Sequence, residues 1–235
     1  GWIKDNLGEN ISKKNKFYGE YTFHYWFWKN ELKKITDNNW IGFCAYRRFW
    51  LNDNNKDNQD VKFKEKVLNK IPKIWNDYDV ILGNKIYVDN VKWIKILKYG
   101  KKSLIKNPRA IFKKNRNIKF HFDMFHGNDI IEKAIEVLNI NDKNDFKDFV
   151  KSKKSYNQGN MFICKSKKIM TKYYEAVFEW LSECEKVFGF DLSGYGKIRI
   201  YGFLAERFLP YWFNKYSNCL EWPIVFNDLR KENLN

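Results

Sequence analysis

Proline and cysteine are scarce in this chain of 235 residues, which has 4 of each, and glycine occurs only 12 times. So few prolines and glycines, without a repeat period, exclude collagen-like, linker-like and solenoid architectures. The cysteines form no C-x-x-C pair, which excludes a zinc ribbon or a redox motif and favours free, buried thiols. They lie far apart, at Cys44, Cys164, Cys184 and Cys219.

Long apolar runs are also missing. No stretch approaches the roughly 20 apolar residues of a membrane-spanning helix, and no basic start leads into an apolar signal core. We therefore expect a soluble, cytoplasmic protein. Hydrophobic residues make up 44% of the chain and aromatic residues 19%, which is enough for one substantial core and excludes disorder as the main state.

The charge balance is strongly basic: 44 Lys and Arg against 28 Asp and Glu give a formal net charge of +16. Eleven of these cations lie between Lys92 and Lys119, where Asp and Glu are absent. The cations alternate with apolar residues, so the segment is amphipathic rather than a solvated tail. It is either the lysine-rich outer face of ordinary helices or a surface for an anionic membrane or an anionic acceptor.

Short apolar runs alternate with helical periodicity, which predicts an α/β domain with a central parallel or mixed sheet. Buried strands are expected at Trp40–Tyr46, Tyr78–Leu82 and Met161–Cys164. Helices are expected from Val61 to about Trp75, at Ile130–Leu138, at Lys167–Val187 and at Gly202–Phe213.

An aromatic segment from Phe17 to Leu32 carries two stripes at helical spacing. The apolar stripe should face the core and consists of Tyr21, Tyr25, Trp28 and Leu32. The mixed stripe either lines a cleft or belongs to a partly exposed amphipathic helix, and consists of Tyr18, Thr22, Trp26 and Lys29.

Common catalytic motifs are absent: the chain has no P-loop, no Rossmann fingerprint, no H-E-x-x-H and no G-x-S-x-G. The one D-x-D, Asp77 and Asp79, precedes a predicted strand, whereas ligands in open α/β sheets bind beyond the carboxyl ends of strands. We interpret this pair as solvating the strand entry. A three-histidine metal site would need His24, His121 and His126 together and is disfavoured.

Two arginines, Arg47 and Arg48, follow a predicted strand at its favoured end. A guanidinium can hold phosphate oxygens in a bidentate way, so these residues are the first candidates for binding a diphosphate. A structural ion pair is the alternative.

A carboxylate and two guanidiniums come together near the C-terminus, at the predicted start of a helix. Glu206 could act as a general base toward a hydroxyl, while Arg199 and Arg207 flank it. The residues alone favour a simple ion pair between Glu206 and one of these arginines.

Ordered sequence blocks resemble a bacterial family of predicted glycosyltransferases from capsule and exopolysaccharide gene clusters, long catalogued as a domain of unknown function. Residues 5–30 resemble its D-N-x-G-x-N-I-S-x-K-N-x-x-Y-x-E-x-T-x-x-Y-W-x-W-K-N block, and residues 41–49 resemble I-G-x-C-H-Y-R-R-Y/F. Later matches are 78–82 with Y-D-I-I-L, His126 and Asp129 with H-x-x-x-D-L to within a residue, 160–163 with N-M-F-I, and 199–207 with R-x-x-G-F-L-x-E-R.

The resemblance implies a GT-A-like nucleotide-diphospho-sugar transferase fold, with a central mixed sheet flanked by helices. One catalytic domain would span residues 1–235, with residues 92–120 as a basic helical insertion or lobe. The implied activity moves a sugar from a nucleotide-diphosphate sugar, a UDP-sugar foremost, to a hydroxyl of a growing capsular or exopolysaccharide glycan, free or lipid-linked. It would act in the cytoplasm, with the inner face of the cytoplasmic membrane as a candidate peripheral site, and no nucleic acid partner is expected.

The resemblance also implies roles for particular residues. Catalysis falls to Glu206, Arg207 and Arg199, with Glu206 as the base if the reaction inverts. Acceptor or sugar contacts fall to His126, Asp129, Asn160 and Met161. Base or sugar stacking falls to Tyr18, Trp26 or Trp28. Donor binding falls to Asn10, Ser12, Asn15, Tyr18, Thr22, Trp26, Lys29, Arg47 and Arg48. No metal ligand is assigned, and the choice between Mn²⁺ or Mg²⁺ and the two arginines as the source of positive charge stays open.

Two departures from the family pattern keep alternatives in view. Ala45 stands where the family has His, and the apolar strand that usually precedes the first block is expected upstream of Gly1. A non-catalytic transferase homologue is therefore one alternative. The other is a nucleic-acid-binding module that uses the basic residues 92–120.

Overall fold

Short strands and longer helices alternate through the computed structural model, which describes residues 3–52 and 62–228. The strands are β1 (Ile41–Gly42), β2 (Arg48–Trp50), β3 (Val80–Gly83), β4 (Lys85–Tyr87), β5 (Ser155–Asn157), β6 (Phe162–Cys164), β7 (Cys219–Trp222) and β8 (Ile224–Phe226). The α-helices are α1 (Asn15–Tyr18), α2 (Tyr21–Asn30), α3 (Phe63–Lys66), α4 (Trp93–Tyr99), α5 (Lys101–Lys106), α6 (Ile118–His126), α7 (Ile130–Glu136), α8 (Ile140–Ser152), α9 (Lys167–Phe188), α10 (Tyr195–Ile198) and α11 (Ile200–Tyr216).

The central sheet has the strand order β1-β6-β3-β7 and is mixed. Strand β6 pairs antiparallel with both β1 and β3, and β3 pairs parallel with β7. Strands β1, β3 and β7 therefore run in the same direction, and their carboxyl ends lie at the edge where β6 begins. Two further pairs, β2 with β8 and β4 with β5, are antiparallel ribbons.

Helices α9 and α11 pack on each other and build the main core. Helix α9 begins where the Ser166 hydroxyl accepts the N–H of Ile169 at 3.2 Å, and it ends at Gly189, whose φ of +59° suits glycine. Its buried face repeats every three or four residues, at Met170, Tyr173, Tyr174, Val177, Leu181 and Cys184. Each large side chain buried in this way contributes about 1.5–3 kcal/mol. The helices predicted at Lys167–Val187, Gly202–Phe213 and Ile130–Leu138 are confirmed, with boundaries shifted by a few residues.

The strand predicted at Trp40–Tyr46 is shorter than expected. It is reduced to β1, because the chain turns sharply and the N–H of Arg48 bonds the carbonyl of Ala45 at 3.0 Å. Arg47 has a φ of +65° in this turn, which few non-glycine residues adopt. The charged pair thus lies in and after a turn rather than at the end of one long strand.

The helix predicted from Val61 to about Trp75 is wrong over the described residues, and Val61 itself lies outside them. Helix α3 ends at Lys66, and the N–H of Leu68 instead bonds the carbonyl of Trp50 at 2.8 Å. Pro72 then precedes a 3-10 helix at Lys73–Asp77. Extended pairing with β2 outweighs the helical periodicity of this segment.

The mixed stripe of helix α2 lies beneath the N-terminal segment. Thr22 Oγ1 donates to Asp5 Oδ2 at 2.6 Å, and Trp26 Nε1 donates to the carbonyl of Leu7 at 2.8 Å. Thr22 and Trp26 are consequently buried. The other stripe faces the core as predicted, with Tyr21 and Leu32 fully buried.

The basic segment folds into short helices around a small core of its own. Helices α4, α5 and α6 enclose a core of Ile96, Ala110, Phe120 and Met124. Across residues 3–52 and 62–228, no helix combines the length and apolar character that crossing a membrane requires.

Candidate functional site

A pocket of about 400 Å³ opens where the carboxyl end of β1 and the start of β6 meet the first turns of α11. That volume lies within the range of small-molecule sites. Four segments of the chain contribute to its wall, in agreement with the rule that ligands bind beyond the carboxyl ends of strands. The lining residues are Glu20, Cys44, Ala45, Tyr46, Arg48, Gly159, Asn160, Tyr195, Arg199, Gly202, Phe203 and Glu206.

Glu206 lies on the pocket face of α11, one turn beyond Gly202. Its Oε1 atom accepts the backbone N–H of Gly159 at 2.7 Å, and its Oε2 atom pairs with the guanidinium of Arg207. Arg207 is 2% exposed and lies over the rings of Tyr156 and Phe122. The ion pair that the residues favoured is therefore present, and it fixes the orientation of a carboxylate that still borders the pocket.

A second carboxylate, Glu20, joins three segments at the pocket wall. Its Oε1 atom accepts a hydrogen bond from Asn160 Nδ2 at 2.8 Å, and its Oε2 atom lies 3.1 Å from a guanidinium nitrogen of Arg199. Asn160 is buried, and its Oδ1 atom has no hydrogen-bond partner within the described ranges. A buried amide oxygen without a partner has the capacity to accept a hydrogen bond, although solvent does not reach this atom in the structure.

The two neighbouring arginines are placed differently. Arg48 lines the pocket and forms no ion pair with any carboxylate that the structure describes. Arg47 instead lies 3.3 Å from Asp228 and stacks on the ring of Tyr46. Arg48 is thus the cation available to an anionic ligand, whereas Arg47 has a partner in the protein.

Close backbone approach explains one glycine at this site. Gly19 has a φ of +60°, and a Cβ atom there would lie 2.1 Å from a guanidinium nitrogen of Arg199. Only glycine lets Arg199 pass between the first two helices to reach Glu20.

Several pocket residues were not among the predicted site residues. Tyr46 and Tyr195 are exposed aromatic residues that line the pocket, and Glu20 and Gly159 supply its contacts. Glu20 lies inside the first matched block, so its position there could have indicated a role. Gly159 lies in the turn between β5 and β6, and Tyr195 begins the short helix α10, and the positions of both depend on distant segments.

His126 lies behind the pocket wall. Its ring stacks on Phe203 at 4.0 Å, and its Nδ1–H donates to the carbonyl of Gly196 at 2.9 Å. Burial, with help from the charge of Arg207, lowers the pKa of His126 to about 2, so the ring is neutral. The predicted sugar contact of His126 stays a prediction, and in the structure the residue supports Phe203.

The predicted donor residues near the N-terminus lie outside the pocket lining, and most of them bond within their own block. Asn10 Oδ1 accepts the hydroxyl of Ser12 at 2.8 Å, and Asn15 Nδ2 donates to Thr22 Oγ1 at 3.0 Å. Tyr18 donates to Glu185 at 2.7 Å. Their roles in donor binding stay predictions.

Other predicted residues have structural partners too. Lys29 lies 3.8 Å above the ring of Trp28, Asp129 pairs with Lys106, and Met161 is buried in a small core beside Trp50. None of these predicted residues borders the pocket, and their binding roles stay predictions.

The D-x-D residues lie at the opposite edge of the sheet from the pocket. Asp79 Oδ2 accepts the N–H of Asn218 at 3.0 Å, which supports the interpretation of the pair as strand-entry residues. The cysteines form no disulfide: Cys164 and Cys184 are buried, Cys219 is half-buried, and Cys44 is exposed at the pocket.

The side chains of the pocket lining that could ligate a metal ion are Glu20, Cys44 and Glu206. Among the residues with described positions, no three His, Cys, Asp or Glu side chains gather as a metal site. The two pocket carboxylates, Glu20 and Glu206, are each engaged by a guanidinium. The role of Mn²⁺ or Mg²⁺ in donor binding stays a prediction, and Arg48 is the pocket cation without a carboxylate partner among the described residues.

A larger groove of about 630 Å³ lies between α8 and α11. Three of its charged groups are already paired, since Lys215 contacts Asp145 at 2.8 Å and Lys85 contacts Glu221 at 3.1 Å. The smaller pocket is the better candidate because it combines an unpaired cation, an oriented carboxylate and an unsatisfied amide.

A solved structure of the bifunctional glycosyltransferase WbbM, in its apo form, is similar to this chain. It aligns with 94% of the chain at a TM-score of 0.64 and 22% sequence identity, and the chain spans 38% of that protein chain. The predicted fold class, a central mixed sheet flanked by helices as in sugar transferases, is confirmed. No curated protein matches the chain. The model of a family described as a domain of unknown function, DUF4422, matches residues 1–218, and the chain therefore belongs to the DUF4422 family.

Proposed function

We propose that this protein is a glycosyltransferase that moves a sugar from a nucleotide-diphosphate sugar to a hydroxyl group of a glycan. The observation that carries the proposal is a single pocket that combines the unpaired guanidinium of Arg48 with the oriented carboxylate of Glu206. Its position beyond the carboxyl end of β1 and the similarity in fold to WbbM support the same conclusion.

Arg48 and Arg199 would bind the diphosphate. As the bond between the sugar and the diphosphate breaks, negative charge grows on the leaving phosphate, and a fixed guanidinium stabilises that charge. Tyr46 and Tyr195 would stack on the base or the sugar at the rim of the pocket.

Glu206 would act as the general base in an inverting transfer. The acceptor hydroxyl oxygen attacks the anomeric carbon, its proton passes to Glu206, and the nucleoside diphosphate departs with the electron pair of the broken bond. Gly159 and Arg207 would hold the carboxylate in place, and Asn160 Oδ1 would accept a sugar hydroxyl.

The finer assignments belong to the same proposal. The donor is a UDP-sugar, the acceptor is a growing capsular or exopolysaccharide glycan, free or lipid-linked, and the reaction takes place in the cytoplasm. They are supported by the resemblance of the sequence blocks and not by a contact in the pocket.

A thermal-shift panel of UDP, GDP and CDP with their sugars, with and without Mn²⁺ or Mg²⁺, tests the proposal. We expect one nucleotide series to raise the melting temperature. Arg48→Ala should abolish the shift, whereas Arg47→Ala should retain most of it and serves as the matched control from the neighbouring position.

Three outcomes would contradict the proposal. No shift with any nucleotide would exclude donor binding. An equal shift for Arg48→Ala and the wild type would remove Arg48 from the site. A clear shift without turnover, on acceptor glycans that include the cognate polysaccharide, would favour the non-catalytic homologue that Ala45 suggests.

A further inference from the structure

Helices α4 and α5 present large aliphatic side chains to solvent. Ile94 is 78% exposed and Ile105 is 79% exposed, and Leu97 lies one turn from Ile94 on the same helix. Ile111 and Phe112 are also exposed in the segment that follows. These side chains belong to a folded lobe whose core is Ile96, Ala110, Phe120 and Met124.

Cations surround these aliphatic groups without neutralising partners. Eight of them are exposed and make no ion pair with any carboxylate placed in the structure: Lys92, Lys95, Lys98, Lys101, Lys102, Arg109, Lys113 and Lys114. The remaining cations of the segment do have partners. Lys106 pairs with Asp129, and Lys119 pairs with Asp123 and Glu132.

Arg116 holds the lobe together. It is 4% exposed, and its guanidinium donates to four backbone carbonyls at 3.0–3.3 Å. It also lies 4.5 Å from the centre of the Trp93 ring. The exposed aliphatic groups therefore project from a folded lobe with internal hydrogen bonds and not from a loose tail.

We infer that the surface formed by the exposed apolar and basic side chains of residues 92–114, here called the α4–α5 surface, docks on an anionic phospholipid bilayer. Lysines and arginines near such a surface are attracted to its headgroups, while isoleucine and leucine side chains enter the boundary between headgroups and acyl chains. The aliphatic groups decide against nucleic acid. Binding of single strands relies on aromatic rings that stack on bases. Trp93, Tyr99 and Phe112 are exposed in this segment, but the most exposed apolar side chains are the isoleucines, which cannot stack on bases.

The surface is separate from the candidate transferase pocket, since none of its residues lines that pocket. The inference therefore stands independently of the proposed chemistry. Its consequence for the enzyme is that a water-soluble donor would be used beside a membrane that can carry a lipid-linked acceptor.

Sedimentation with vesicles of phosphatidylglycerol and phosphatidylcholine tests the inference on the full chain. We expect binding to vesicles with 30% phosphatidylglycerol and little binding to pure phosphatidylcholine. The quadruple variant Lys95→Gln, Lys98→Gln, Lys101→Gln and Lys102→Gln should lose about fivefold in affinity for each lysine. A matched quadruple with the same charge change, Lys33→Gln, Lys70→Gln, Lys73→Gln and Lys172→Gln, alters exposed lysines elsewhere and should lose much less.

The aliphatic groups are tested separately. Ile94→Ser with Ile105→Ser should lower vesicle affinity by at least about tenfold, whereas Ile71→Ser with Ile140→Ser, at exposed positions elsewhere, should not. Equal losses in the two lysine quadruples would overturn the inference. So would unchanged binding of the Ile94/Ile105 variant, or tighter binding to single-stranded RNA than to the vesicles.

Discussion

The backbone N–H of Gly159 donates to Oε1 of Glu206 at 2.7 Å and so joins the β5–β6 turn to helix α11. The turn and the helix are separated by the whole of α9 in the sequence. Arg207 holds the other carboxylate oxygen, so both oxygens of Glu206 have partners where the residue borders the pocket. The candidate base is therefore oriented by two contacts, and the contact with Gly159 forms only when the chain is folded.

Gly159→Ala tests whether this turn orients Glu206. Gly159 has a φ of +77°, so alanine costs about 1–2 kcal/mol in backbone strain, although its Cβ has space at 3.7 Å from Arg48. Gly189→Ala is the matched control, since its φ is +59° and its Cβ would meet nothing within 4 Å. We expect a loss of stability in urea unfolding for both variants but a large loss of transfer rate only for Gly159→Ala. Equal rates for the two variants would contradict the orienting role.

Glu206→Gln tests the base directly. Glutamine can still accept the Gly159 N–H, so donor affinity measured by calorimetry should stay within a few-fold of the wild type. Turnover should fall by about 10²–10⁴-fold, as for the loss of a general base. Glu221→Gln removes a carboxylate that pairs with Lys85 at a more exposed site, and it should leave turnover unchanged. A Glu206→Gln enzyme with near-normal turnover would show that the carboxylate serves only the ion pair.

Periodicity and local order were enough to predict the helices α9 and α11, the strands β3 and β6, and the strand-entry position of Asp79. These elements have strong patterns that tertiary contacts reinforce. Arg48 borders the candidate pocket, at the edge of the sheet where a ligand was expected, and its binding role stays a prediction.

What could not be predicted depends on contacts between distant segments. The mixed stripe of α2 is covered by residues 5–10, so Thr22 and Trp26 are buried instead of lining the pocket. Arg47 turns toward Asp228 because its φ is positive. A positive φ is expected at glycine or asparagine, so the arginine at this position gave no sign of it. Glu20 meets Asn160 across the fold, and no local pattern relates the two residues.

Half-buried His121 should make stability depend on pH. Burial, with a contribution from Arg207, lowers the pKa of His121 to about 3, compared with about 6.5 in an unfolded chain. As pH falls below 6.5, the unfolded state takes up a proton that the folded state does not, so the free energy of unfolding decreases. Between pH 7.5 and pH 5.0 this loss amounts to about 1–2 kcal/mol for His121.

His121→Phe isolates that effect. His121 Nδ1 is buried without a hydrogen-bond partner in the described part of the chain, so phenylalanine loses no bond there. Relative to the wild type, the variant should gain about 1–2 kcal/mol in urea unfolding on going from pH 7.5 to pH 5.0. A stability difference that is the same at both pH values would show that His121 does not take part in the linkage.

Cys44 offers a probe of the pocket that needs no knowledge of the acceptor. It is the exposed cysteine among the four and lines the pocket beside Ala45 and Tyr46, so a maleimide should label it first. Surrounding protein atoms raise the pKa of its thiol, so the labelling rate should climb as pH rises from 7 to 8.5. The nucleotide sugar that gives the thermal shift should slow labelling of Cys44 at saturating concentration, because the ligand and the reagent need the same space. Half-buried Cys219, outside the pocket lining, serves as the internal control in the same mass-spectrometric measurement. A donor that stabilises the protein yet leaves the Cys44 rate unchanged would place donor binding elsewhere on the molecule.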